Sequence, residues 1–170
     1  MRIAICSLSV AAIVSSALAV HSVAQTPAAA VKSFASSADV AALVAKAKSE
    51  RKEGQALVLQ QVVQRAPYSL NLEYRAAVAG ASIHEREAEL FYVVDGAGTM
   101  VVGGRLRDEK RTNAENLTGT GIEGGDTRHI AKGDVIMVPE NTAHWFSAIE
   151  GSLTLMSLHL PAAAPRTPSR

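Results

Sequence analysis

His84, Glu89 and His144 are the residues of this chain best suited to chemistry. His84 and Glu89 stand five residues apart in G-A-S-I-H-E-R-E-A-E-L-F-Y-V-V-D-G (Gly80 to Gly96), and His144 lies near the end of G-D-V-I-M-V-P-E-N-T-A-H-W-F (Gly133 to Phe146). Brought onto neighbouring strands, two imidazoles and a carboxylate would hold a divalent metal on one side and leave other coordination positions open. That donor set suits Fe(II) and O₂ chemistry, and Mn, Ni, Co or Zn would also bind. An open position separates a catalytic metal from a structural one. Taken singly, each residue also has an ordinary role, a packed or surface histidine or a strand-edge charge. Around the three, Phe91 and Val93 alternate in phase with Glu89, and Phe146 with His144, so these apolar side chains are expected to line a pocket. Arg86 offers a charge to an anionic substrate or else faces solvent. His159, in phase with Leu153 and Leu155, is expected either to enter the pocket as a substrate-binding group or to pack near its end.

Short strands must position these groups. Ala56 to Gln64 is rich in β-formers, and Pro67 ends it. Tyr68 to Arg75 alternates Tyr68, Leu70, Leu72 and Tyr74 against Ser69, Asn71, Glu73 and Arg75, the pattern of a half-buried strand. Leu90–Val94 and Thr99–Val102 flank Asp95-Gly96-Ala97-Gly98, which reads as a hairpin turn. Val135–Val138, His144–Ile149 and Leu153–Leu160 complete the set. Many short strands separated by Gly and Pro predict a sandwich or barrel. Residues 103–129 read as a long polar loop, either a lid or a surface insertion. Before the strands, Asp39 would cap a short helix spanning 39–53, with Val40, Leu43, Val44 and Ala47 on one face.

Composition narrows the function further. The chain has 170 residues, enough for one domain, and a formal net charge of +1. No basic run is long enough to follow a nucleic-acid backbone, so nucleic acid is not an expected partner. Only 4% of residues are aromatic, so the core must be aliphatic. Residues 1–24 begin with Met1-Arg2 and continue as a small, apolar, uncharged run with Ser22-Val23-Ala24 at its end. They resemble a secretory signal peptide, the alternative being an uncleaved anchor. Cleavage after Ala24 would remove Arg2 and leave a formal charge of 17 − 1 − 16 = 0. It would also remove Cys6, the only cysteine, so the exported chain, periplasmic or secreted, would have neither disulfides nor thiol chemistry and no stable membrane anchor. Residues 25–38 read as a flexible arm and 162–170 as a flexible tail.

The two segments resemble the paired motifs of the cupins. The first motif is a Gly, a His-x-His pair, a Glu four or five residues on, and a Gly seven after the Glu. Here His84 takes the second His position, and Glu89 and Gly96 fit, but Ser82 stands at the first His position. The second motif matches at Gly133, Pro139 and His144, with Asn141 in place of an inner Gly; Asn tolerates the left-handed backbone that Gly would supply. The resemblance covers about residues 54–160. It implies an all-β, cupin-type jelly-roll β-barrel over 54–161 with a short N-terminal helix, often a homodimer. It also implies a divalent metal ion held by His84, Glu89 and His144. The expected function is that of an exported metal-dependent enzyme, dioxygenase-like, acting on a small organic molecule. The alternative is a non-catalytic small-molecule-binding module whose metal site is weakened by Ser82.

Overall fold

The computed structural model describes residues 32–162, so the expected signal peptide, residues 25–31 of the expected arm and all of the expected tail but residue 162 lie outside it. Residues 32–38 of that arm are not a loose linker, since Lys32 bridges to Gln64 and Ser36 and Ser37 open the first helix. One helix, Ser37–Glu50 (α1), precedes eleven strands: Leu57–Arg65 (β1), Tyr68–Arg75 (β2), Ala81–His84 (β3), Glu87–Val102 (β4), Arg105–Arg107 (β5), Lys110–Arg111 (β6), Asn116–Gly119 (β7), Gly121–Glu123 (β8), Asp126–Ala131 (β9), Val135–Val138 (β10) and His144–Pro161 (β11). Every pairing among them is antiparallel. The fold is all-β and of jelly-roll type. The hydrogen-bonded path is open, with β1 at one end and β6 at the other, so the sheet is not a closed barrel.

Two long strands organise it. β4 and β11 pair along their whole lengths, from His144 opposite Val102 to Pro161 opposite Glu87. Their first half of contact, near Glu87, continues into β2, β1 and β10; their second half, near Val102, continues into β3, β7, β6 and β9. The pair therefore links two halves of the one nine-stranded sheet, while β5 and β8 pair separately. The main core is aliphatic and aromatic: Phe91, Val93, Met100, Ile130, Val138, Phe146, Leu153 and Leu155. Burying each of the larger of these contributes about 2 kcal/mol.

The expected hairpin at Asp95-Gly96 is not a reversal, and neither is the break expected at Glu150-Gly151. Both fall inside continuous strands, opposite each other, where the register slips between Glu150 and Leu153. Gly96 has φ +85°, and a Cβ there would collide with the Ser152 carbonyl oxygen. The glycine is needed because β4 must bend against β11 at this point, a bulge rather than a turn. Residues 103–129 also differ from expectation. They hold β5 to β8 and the start of β9, with β7 paired to β3. These strands are two to six residues long and mostly polar, so no period-two apolar signal marks them.

The helix starts two residues earlier than the pattern predicts. Ser36 is the cap, its Oγ accepting from the Asp39 N–H, while Asp39 at the third helical position accepts from the Ser36 N–H, a reciprocal capping box. The helix also ends at Glu50 rather than at 53. Its apolar face packs on Val58, Val62 and Leu72 of β1 and β2. Ser36→Ala should lower stability by about 1 kcal/mol, read as a lower midpoint in thermal or urea unfolding; an unchanged midpoint would show that the cap is idle.

Candidate metal centre

Alternation puts Leu70, Leu72 and Tyr74 on one face of β2 and Asn71, Glu73 and Arg75 on the other, and the helix decides which face is interior. Leu72 is covered from outside by α1, and the alternate face, Asn71, Glu73 and Arg75, lines an interior cavity. Leu57 and Leu59 of β1 line the same cavity, as do Ser82, His84, Glu89, His144 and His159. The cavity holds about 280 Å³.

The ladder brings the site together. His159 stands directly opposite Glu89 in the β4–β11 pairing, although seventy residues separate them, and His144 stands opposite Ser82 of β3. Glu89 lies at the middle of three imidazoles. His159 Nε2 is 3.2 Å from Oε1, and His144 Nε2 and His84 Nε2 are 3.2 and 3.4 Å from Oε2. The tightest donor set, with ligand atoms all within 4.8 Å of one another, is His84, Glu89 and His159 rather than the expected His84, Glu89 and His144. His144 adds a further Nε2 at the same carboxylate. His159, expected as a substrate contact, therefore stands among the candidate metal donors. Ser82 is on the wall but offers no imidazole.

The outer nitrogen of each ring is tied. His84 Nδ1 donates to Asn116 Oδ1 at 2.6 Å, His159 Nδ1 to Glu87 Oε2 at 3.0 Å, and His144 Nδ1 to the Thr142 carbonyl at 3.3 Å. Such bonds fix the tautomer and leave each Nε2 lone pair aimed inward, the usual arrangement around a protein-bound metal. Glu89 is buried, and its Oε2 has no aligned hydrogen-bond partner among the described residues. Leaving such an oxygen unmatched costs about 1–3 kcal/mol. Donors placed at right angles about 2.1 Å from one ion would lie about 3 Å apart, close to the carboxylate–imidazole separations of 3.2 to 3.4 Å. The residues fit a divalent cation.

Electrostatics agree. Burial alone would raise the Glu89 carboxyl, but the His144 and His84 imidazoles and the charge of His159 outweigh it and hold it well below the usual carboxylate range. Burial lowers His84, but Glu89 and Asn116 reverse this and raise it above 6.5. Glu89 is thus an anion that favours a proton on the His84 ring.

The remaining expected pocket residues sit elsewhere. Phe91, Val93 and Phe146 do face inward, but into the core beneath the cavity rather than along its wall. Phe91 packs against His144 with ring centroids 5.8 Å apart, and so backs a donor. Arg86 is exposed and faces Glu115 at 3.7 Å, away from the cavity. Residues that sequence reasoning missed are Asn116, inside the segment read as a loop, and the buried pair Glu73 and Arg75, which alternation places on one face of β2 without placing that face in the cavity. Asn141 behaves as expected: its φ is +55°, and its N–H donates to the His84 carbonyl at 2.7 Å, joining the two motifs.

A family model described as Cupin matches residues 63–165. No curated protein sequence matches the chain. Among solved structures, the chain is similar to FeII HppE at 17% identity, covering 65% of this chain and 54% of that longer one, with a TM-score of 0.49. It is similar to Pac13 from Streptomyces, described as a nucleoside dehydratase, at 19% identity over 68% of this chain and 78% of that one, TM-score 0.45. KdgF from Halomonas sp. is 18% identical over 66% and 87%, TM-score 0.45. At such identities the likeness is one of fold.

Proposed function

Because this chain belongs to the cupin family, we propose that it is a metal-dependent enzyme acting on a small organic molecule, exported by way of residues 1–24. The observation that carries the reading is the placement of His84, Glu89, His144 and His159 on the wall of a cavity rather than inside the packed core. A structural ion would be enclosed; donors on a cavity wall leave room for a second molecule. Four protein donors would complete a tetrahedral ion, whereas an ion preferring six positions, such as Fe(II), Mn, Co or Ni, would keep two open toward the cavity. With Fe(II) there, the group would supply oxygenase-type chemistry. This chain's own residues orient the donors: Asn116, Glu87 and the Thr142 carbonyl hold the rings, and Phe91 backs His144. Leu57 and Leu59 give a substrate an apolar wall.

The test is elemental analysis of the purified protein together with thermal unfolding in added Fe²⁺, Mn²⁺ or Zn²⁺. About one equivalent of metal is expected. With free metal at a hundred times its dissociation constant, the stabilisation is about 2.7 kcal/mol, a rise in Tm on the order of 10 °C. Less than about a tenth of an equivalent, with no thermal shift from any of the three ions, would remove the enzyme reading and leave a metal-free binding module.

A further inference from the structure

Beside the histidines, on β2 next to β11, the cavity carries a charge pair that the metal reading does not use. Arg75 and Glu73 lie two residues apart on the inner face of β2, and both are buried. Nε of Arg75 donates to Glu73 Oε2 at 2.8 Å, and Nη2 approaches the same oxygen at 2.6 Å. The guanidinium also lies over the Phe146 ring, 4.1 Å from its centroid. Its side edge is thus committed and its plane fixed. The other edge, formed by Nη1 and the second hydrogen of Nη2, has no acceptor among the described residues, and it belongs to a side chain that lines the cavity.

A buried ion pair is a poor way to stabilise a fold, since desolvating both charges offsets most of their attraction. A guanidinium held planar with one free two-donor edge is, in contrast, well made for a carboxylate. The charge balance points the same way. The ionised side chains lining the cavity are Glu73, Arg75 and Glu89, −1 + 1 − 1 = −1 with neutral imidazoles. A divalent ion brings the sum to +1, which one anionic group would neutralise. A volume of about 280 Å³ lies below the range of drug-sized pockets, so the ligand must be small.

We infer that Arg75, positioned by Glu73 and Phe146, is the specificity-determining residue of this cavity and that its ligand is a small monocarboxylate with an apolar portion facing Leu57 and Leu59. The charge argument rests on the metal reading above; the geometry of Arg75 does not.

The experiment compares butyrate with butyramide by calorimetric titration of the metal-supplemented protein. The two probes have the same number of heavy atoms, and only one is charged. Butyrate should bind the wild type about tenfold or more tightly. The double variant Glu73→Gln/Arg75→Gln leaves no buried charge unpaired and should lose that preference while keeping its metal content. Glu73→Gln alone keeps an acceptor for Nε but removes the neighbouring negative charge, and should strengthen butyrate binding by a fewfold. Equal binding of the two probes by the wild type, or an undiminished preference in the double variant, would overturn the assignment. Failure of the metal reading shows separately, as absence of metal from the wild type. The butyrate preference is then read on that protein, its persistence supporting Arg75 and its absence refuting it.

Discussion

Glu89→Ala is expected to purify without metal and to bind added Fe²⁺ or Mn²⁺ about 100-fold or more weakly than the wild type. Losing an outer partner of a metal ligand alone costs about 10- to 100-fold, and Glu89 is itself a ligand candidate and the only anion among the four donors. It is also the group on which the others converge, within 3.2 to 3.4 Å of His84, His144 and His159. Chelator competition against the purified variant reads the change. The apo variant should stay folded, since alanine leaves no buried charge behind, and far-ultraviolet circular dichroism checks this. A variant that is folded and still takes up a full equivalent would show that the imidazoles alone, or a different site, hold the ion.

The second large effect concerns His159. His159→Ala should weaken metal binding by about 10- to 100-fold, and Ser82→His in that background should recover most of the loss. Ser82 lines the same cavity and stands opposite His144, so an imidazole there would enter the donor cluster from β3 instead of β11. The cupin pattern has a histidine at that position; here the third imidazole comes instead from the far end of the long strand. The restored variant distinguishes a lost ligand from a general loosening, because a second substitution would not repair loosened packing. If His159→Ala binds metal like the wild type, His159 serves only to hold Glu87 and Glu89 in place.

Much of this could be read from residue order because it is local. β10 was legible from Val135 to Val138, ended by Pro139, and so was the left-handed Asn141. His84 and Glu89 could be paired because five residues separate them. His159 could not be joined to Glu89 that way: their meeting depends on the register of a ladder with slips after Phe146, Glu150 and Thr154, and no local pattern encodes such slips. Arg75 could not be placed for a different reason. Alternation says which residues share a face, but not which face meets water, and α1 covers the face that carries Leu72. The turn signals at Gly96 and Gly151 were real demands for positive φ, but met within two strands that bend together rather than reverse.

That shared bend has a consequence for cooperativity. Glu89 and His159 lie on the part of the β4–β11 pair that belongs with β2 and β10, whereas His84 and His144 lie where β3 and β7 join. One ion held by all four would act as a cross-link between the two halves of the sheet, closing a loop through the bulge at Gly96. Such a link removes more freedom from the unfolded chain the farther apart its ends lie in sequence. Separate opening of either half would then require release of the ion. Metal would therefore do more than equip the cavity for chemistry: it would couple the opening of one end of the β4–β11 pair to that of the other.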